Sequence, residues 1–352
     1  MSLAIRPLDP AAAPAWDRFV LAHPDGTFFH RAAWREIISD VFGHATHYIY
    51  AERDGAITGI LPLGQVKTAL FGHSLISVPF CVYGGPVAAD AESAAALLAH
   101  AARLRADIGA PVAECRFRDA PEDAIETALD EGGWVAGESL YVTFRKPIAA
   151  DDAANLQAIP RKQRAMVRKG IERGLTSRTD RDADLLHRIY AESVRNLGTP
   201  VYPRRYFHAL LAAFGEDCDI LTIRDGAVPI ASVLNFYFRD EVLPYYGGGT
   251  AQARARAGND MMYWEVMRRA AARGCRVFDF GRSKAGTGAH AFKRNWGFAP
   301  TPLQYRFLLA PGARVPELNP LNPKFRLFIA AWKRLPLPLA NLLGPPIVRG
   351  LA

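Results

Sequence analysis

Four short landmarks occur twice in this chain, in the same order, and that recurrence restricts its fold more than any single motif does. The first set is Phe29-His30, Phe42-Gly43, Arg53-Asp54-Gly55-Ala56 and Tyr83-Gly84-Gly85. The second is Phe207-His208, Phe214-Gly215, Arg224-Asp225-Gly226-Ala227 and Tyr246-Gly247-Gly248. Each match is weak alone; the shared order is what carries weight. Asp54-Gly55 and Asp225-Gly226 both sit between β-rich runs, YIYAER with ITGILPL and ILTIR with VPIASVLNFYF, so each predicts a hairpin turn. After each Tyr-Gly-Gly comes a helix (Glu92 to Asp107; Asp260 to Arg273) and then a strand (Val112 to Phe117; Cys275 to Phe280). A second helix closes in Gly133-Trp134 or Gly297-Phe298, and a last strand (Leu140 to Arg145; Gln304 to Leu309) completes each copy. The fold class this implies is α/β (α+β), one domain of about 150 residues built twice. The expected division is 1–150, a basic linker helix 151–181, a second domain 182–312 and a basic, apolar C-terminal tail 313–352.

Composition agrees with two soluble cores. The chain has 352 residues, half of them hydrophobic and 22% charged, with a net charge of +8. Cys81, Cys115, Cys218 and Cys275 are scattered, with no C-x-x-C pair and no nearby histidine cluster, which points to buried thiols rather than zinc or disulfides. The first residues, MSLAIRPLDPAAAPAWDRF, lack a basic flank followed by an apolar core, so a cytoplasmic location is expected. In the tail, Lys324, Arg326, Lys333, Arg334 and Arg349 interrupt leucines, prolines and aromatics well before the ~20 apolar residues a membrane span requires. Such a segment either packs on the body as an arm, the favoured reading, or lies on an anionic leaflet.

The chemistry concentrates in CRVFDFGRSKAGTGAHAFKRNWGF, Cys275 to Phe298. Val277, Phe278 and Phe280 suit a buried strand, and Asp279 within it needs a cationic partner, for which Arg282 is the nearest choice. Arg282, Ser283 and Lys284 follow at the strand's C-terminal end, where open α/β sheets bind ligands. Gly286 and Gly288 allow backbone to approach an anion. A short helix then turns Phe292 and Trp296 inward and His290, Lys293 and Arg294 to other sides, until Gly297 stops it. The set makes a pocket for an anionic donor or a developing oxyanion, or else a half-buried strand beside a solvated cationic helix.

The linker, IPRKQRAMVRKGIERGL, starts a helix at Pro160 with an apolar stripe of Met166, Val167, Ile171 and Leu175. From Arg161 to Arg181 it carries eight Lys or Arg against Glu172 and Asp180. Its cations, Arg161, Lys162 and Arg168 among them, form either a solvated face or an anion-binding one.

There is no G-x-S-x-G, Walker A loop, H-E-x-x-H, or strand-to-helix G-x-G-x-x-G near the N-terminus, which sets aside several hydrolase, NTPase, zinc peptidase and dinucleotide-binding chemistries. The two-copy plan, IPRKQRAMVRKGIERG, FDFGRSKAGTGAHAFKRNWGF, TFFHRAAW and SVPFCVYGGP resemble the FemAB/FemX-related proteins, built from tandem GNAT-type domains. More narrowly they resemble the FemAB-like group associated with PEP-CTERM and exosortase systems, over nearly the whole chain. The resemblance implies transfer of an aminoacyl or other acyl group from an activated donor to an amine of a cell-envelope or exopolysaccharide-related acceptor. By position it implies that Lys293 stabilises the reaction intermediate and that Arg282, Ser283, Tyr245 and Tyr246 line the cleft. The long helical hairpin of some members has no room here, and the acetyl-CoA signature Q/R-x-x-G-x-G/A is missing from TAQARARAGND. The donor substrate is therefore open between acyl-CoA and aminoacyl-tRNA, tRNA being the less favoured, and no permanently bound cofactor is expected. Expected roles are catalytic for Lys293, Arg282 and Asp279, with His290 a weaker base, and substrate-binding for Ser283, Lys284, Tyr245, Tyr246, Arg161, Lys162 and Arg168. The competing class is a non-catalytic anion or glycan-precursor binder on the same fold.

Overall fold

The computed structural model describes residues 3–137, 140–315 and 323–351. Two compact units share the chain: Met1–Leu140 with Pro302–Leu318 and Arg349–Ala352, and Tyr141–Thr301 with Asn319–Val348.

In the first unit the strands run in the order Ala4–Pro7, Ala45–Arg53, Ala56–Thr68, Gly72–Ser77, Val112–Phe117, Gln304–Leu309, Val135–Ala136. The first hairpin turns at Asp54 and Gly55, both at positive φ, as a tight two-residue turn requires. Gly72–Ser77 and Val112–Phe117 are parallel neighbours. Helix Ala91–Asp107 covers the sheet, its N-cap Asp90 accepting from the Ser93 amide. Leu61, Leu75, Leu97, Cys115 and Leu129 join one core.

The second unit repeats the plan. Its strands run Ser283–Lys284, Tyr141–Pro147, Val277–Asp279, Glu241–Gly249, Val228–Phe238, Cys218–Asp225, Thr176–Asp180. The second hairpin turns at Gly226-Ala227, one residue beyond the expected Asp225-Gly226, Glu241–Gly249 and Val277–Asp279 are the parallel pair, and helix Gly258–Ala272 packs on the sheet. Its core includes Phe144, Val167, Leu221, Phe278 and Trp296.

The last strands depart from expectation. Tyr141–Pro147, the end of the first repeat, pairs with Val277–Asp279, and Gln304–Leu309, the end of the second, pairs with Val112–Phe117. Each repeat thus gives its closing strand to the other's sheet, which moves the boundaries away from 150 and 312. Sequence periodicity assigns a strand and its buried face but says nothing about which of two equivalent edges receives it. The basic segment is likewise part of the second unit: helix Arg161–Glu172 packs on Gly258–Ala272. Its inward line is Gln163, Val167 and Gly170, whereas Ile171 is 48% exposed. The side-chain-free Gly170 lets the helices approach so closely that a Cβ there would lie 3.1 Å from Met261, and this rotates the contact line off Ile171.

The tail forms helices Pro323–Trp332 and Leu337–Val348, while its Asn-Pro run 319–322 lies outside the described residues. Ile329 packs onto Gly198, Gly344 onto Val201, and Leu337 joins Ala191 and Val194. It is a packed arm on the second unit. Among the described residues no helix is long and apolar enough to cross a membrane.

Candidate active site

The parallel pair of the second unit is hydrogen-bonded for two registers only, Glu241 with Val277 and Val242 with Phe278. Beyond Val242 the strands part. A bulge at Tyr245 turns one of them, between the Leu234–Tyr246 and Asn235–Pro244 pairings, and Gly281 at φ +64 turns the other. The Tyr245 ring lies 3.9 Å from where a Gly281 Cβ would stand.

Lys293 fills the base of this gap. Helix Gly288–Asn295, capped by the Thr287 hydroxyl, aims its ammonium at three backbone carbonyls: Phe280 at 2.6 Å, Gly281 at 3.0 Å and Arg282 at 3.0 Å. The rings of Phe144 and Phe280 flank the Nζ at 5.6 and 5.9 Å. Burial pushes its pKa down from 10.5 to about 7, the Asp279 carboxylate opposing and the Arg282 cation adding to the shift. Lys293 is thus a group that changes charge near neutral pH, not the solvated helix cation of the alternative reading.

Asp279 is 1% exposed; its Oδ1 accepts from the Gly281 amide at 2.6 Å, and its Oδ2 lies 3.4 Å from Arg145 Nε. That cation comes from the exchanged strand, and it also binds Glu241. Sequence order pointed to Arg282, whose guanidinium sits 4.6 Å over the Tyr141 ring, with Lys284 at 5.8 Å from the same ring. Burial lowers the Lys284 pKa. Between them Ser283 is 6% exposed, and its Oγ has no hydrogen-bond partner among the described residues. Gly286 and Gly288 border open space, with no atom within 4 Å of an added Cβ. His290 meets Phe144 edge-on at 5.4 Å.

Tyr245 and Tyr246 separate. Tyr246 is 5% exposed, and its hydroxyl shares a 2.8 Å hydrogen bond with that of Tyr206, so it belongs to the core; Tyr245 is half-buried beside Gly281. Arg161, Lys162 and Arg168 are exposed, and the Pro160 that starts their helix stands beside Gly297, 3.0 Å from where a Cβ there would lie, which brings Arg161 and Lys162 to the end of the Lys293 helix.

Two groups escaped the sequence reading. Asp260, in the first turn of helix Gly258–Ala272, accepts from Trp296 Nε1 at 3.1 Å, and burial raises its pKa to about 6. One turn on, Tyr263 packs against Phe280, Phe292 and Trp296, its pKa raised to about 12 by burial and then by Asp260. The signal was an acid three residues before an aromatic, which reads equally as helix N-terminal charge complementarity. The segment ahead of that helix, where an acetyl-CoA loop would lie, forms its own short helix Ala251–Arg256 capped by Thr250, with Arg256 bound to Asp225. In the first unit a small cleft opens beside His30, Gly85 and Arg118. All four cysteines are buried free thiols.

Residues 156–294 match the acetyltransferase (GNAT) domain family. The fold is similar to that of FemX (TM-score 0.68, 16% identity, covering 86% of this chain and 96% of that one). It is also similar to L-PGS from Bacillus licheniformis (0.58, 12%, 94% and 99%) and to a tandem GNAT protein from the clavulanic acid biosynthesis pathway (0.56, 14%, 89% and 100%). No curated protein matches by sequence. Residues 156–294 are thus a GNAT-type domain by sequence, and two sheets on one repeated plan give the whole chain the fold of the tandem GNAT structures it resembles.

Proposed function

We propose that this protein transfers an acyl or aminoacyl group from an activated thioester or ester to an amine of a cell-envelope or exopolysaccharide-related acceptor, on the cytoplasmic side of the membrane. The observation that carries the reading is a half-buried lysine, Lys293, held by three backbone carbonyls at the base of a parting strand pair. The amine nitrogen attacks the donor carbonyl carbon, the carbonyl π pair moves to oxygen, and collapse of that oxyanion breaks the C–S or C–O bond; the amine's proton passes through solvent to the leaving group, giving an amide and a free thiol or alcohol. The enzyme's part is to align the two reactants and to meet the negative charge. Lys293 in its ammonium form turns one N–H from a backbone carbonyl to the oxyanion, and the Arg282 cation adds to the field. Asp279 acts through its bonds to Gly281 and Arg145, holding the turn that carries Arg282. The unpartnered Ser283 hydroxyl and Lys284 contact the substrate, Tyr245 walls the gap, and Arg161, Lys162 and Arg168 attract an anionic donor.

The test offers acyl-CoA thioesters and charged tRNA in turn, with a primary amine as acceptor, and measures free thiol, deacylated tRNA and new amide. A donor that protects the protein against thermal unfolding yet yields no product would make it a binder and end the transferase reading.

A further inference from the structure

The charge-free run LPLPLANLLGPPIV, Leu335 to Val348, makes the second tail helix, Leu337–Val348, apolar nearly all round, Asn341 being its one polar side chain. One side is used: Ala340, Gly344 and Val348 face the second unit. The other carries Leu339, Leu342 and Leu343, which are 47%, 68% and 46% exposed, with Pro338 and Pro346 exposed around them. On the preceding helix Leu327 is 82% and Phe328 41% exposed, and Leu197, beside the Gly198 that receives Ile329, is 65% exposed. A helix apolar all round is ordinarily covered all round. Among the described residues, nothing covers the other face.

The neighbourhood says what fits it. Lys333 and Arg334, both exposed, stand between the two helices, and residues 319–352 contain no acid. The exposed residues of the outer face are leucines and prolines, with Asn341 only partly buried beside them, whereas a protein interface of useful size carries a hydrogen bond every 100–200 Å² or so. A bilayer surface asks for no such bonds: leucines enter the acyl boundary while cations stay among anionic headgroups. We infer that the outer face of the C-terminal helix pair docks on an anionic lipid bilayer, lying on it without crossing. The tail is then both packed arm and surface anchor, one face for each role.

The measurement is co-sedimentation of the full chain with phosphatidylcholine vesicles, with and without phosphatidylglycerol. The wild type should bind the anionic vesicles and lose them at high salt. Leu342→Glu/Leu343→Glu should lower partitioning at least about tenfold, and Lys333→Glu/Arg334→Glu at least about fivefold. Leu70→Glu, equally exposed at 73% in the first unit, should leave binding unchanged. All these side chains are exposed, so the thermal transitions should match the wild type, which separates loss of docking from loss of fold. No partitioning by the wild type, or equal partitioning by the leucine variant, overturns the inference. So does a dimer in light scattering that the leucine variant splits without any vesicle effect, since the face would then belong to a second copy.

Discussion

Where the first unit's strand Gly72–Ser77 leaves its parallel partner, the chain turns back and fills the gap with its own backbone, whereas the second unit's strand Glu241–Gly249 runs on and leaves its gap to side chains. In the first unit Val78 and Phe80 take positive φ to make the turn, and the amides of Gly84 and Gly85 both donate to the Arg116 carbonyl at 2.8 Å. The buried Arg116 side chain closes the arrangement by donating to the Cys81 carbonyl at 2.9 Å. At the matching strand position the second unit has Asp279. Four residues before the positive-φ glycine that ends the next helix, Gly133 or Gly297, the first unit has Leu129 at 0% exposure and the second has Lys293. One position of the repeat is therefore an ordinary core leucine in one unit and a desolvated cation in the other. Burying an ammonium costs stability that leucine does not. The difference teaches that this position serves packing in the first unit and carries a cation at a cost to stability in the second.

Exchanging the two residues should break that comparison most severely. Leu129→Lys places a charge in a closed core with no carbonyl cradle, and about 3–5 kcal/mol of stability should be lost in denaturant melts. Leu129→Met should cost under about 1.5 kcal/mol and leave turnover alone. Lys293→Met should keep the fold but lower turnover about 10²-fold or more, roughly 2.7 kcal/mol of transition-state stabilisation, with donor affinity little changed. Unchanged kcat in that variant would move the catalytic centre elsewhere.

The titration of Lys293 gives a second separation. The side chain is charged below its pKa of about 7 and neutral above it, so oxyanion stabilisation predicts a turnover limb that falls as pH rises through about 7. That limb should vanish in Lys293→Met. Stability should run the other way: the unfolded lysine keeps its proton to about pH 10.5 and the folded one releases it near 7, so the unfolded state binds more protons between these values. Stability should therefore rise with pH across that window, by on the order of a few kcal/mol in full, and the slope should flatten in Lys293→Met. A turnover that climbs through pH 7 with Lys293 present would assign it to proton removal instead.

Much of this was legible because the repeat wrote it twice. The hairpins at Asp54-Gly55 and, one residue beyond expectation, at Gly226-Ala227 needed only turn chemistry, and the short helix before Gly297 needed only spacing. The cradle around Lys293 was not legible: three backbone carbonyls on consecutive residues have no sequence signature, and only the turn at Gly281 aims them together. Arg145 as a partner of Asp279 was hidden for another reason. It arrives on a strand from the other repeat, which proximity in sequence cannot indicate. Equivalent Tyr-Gly-Gly motifs also concealed unequal structures, since Tyr246-Gly247-Gly248 lies within a strand and Tyr83-Gly84-Gly85 follows one.

The glycines sharpen the contrast at intermediate cost. A Cβ on Gly84 would stand 2.9 Å from the Ser77 carbonyl oxygen and 2.6 Å from Val78, so Gly84→Ala should lose about 1–3 kcal/mol of stability as that gap is forced open. Gly288 begins a helix and meets nothing within 4 Å, so Gly288→Ala should be neutral or stabilising by up to about 1 kcal/mol. If substrate occupies the space beside it, the same methyl should raise KM severalfold in an otherwise intact protein. A Gly288→Ala variant with wild-type KM would take this backbone out of the binding surface.

The smallest effects belong to the cations outside the gap. Arg161, Lys162 and Arg168 are exposed, and the helix they stand on starts against Gly297, so they act on an approaching anion through solvent rather than through contact at the reacting centre. Charges of this kind are screened over about 8 Å at physiological ionic strength. Replacing each with glutamine should raise KM by a few-fold at low salt and by less at high salt, with kcat nearly constant, because the attraction is gained before the transition state and kept in it. The first unit supplies the control. Arg53 is a half-buried cation tied to Asp90 and Glu92, and Arg53→Gln should move neither constant. Equal KM shifts from Arg53 and the helix cations would reduce the effect to net charge, whereas a shift confined to Arg161, Lys162 and Arg168, steepest at low salt, would mark that helix as the approach to the gap.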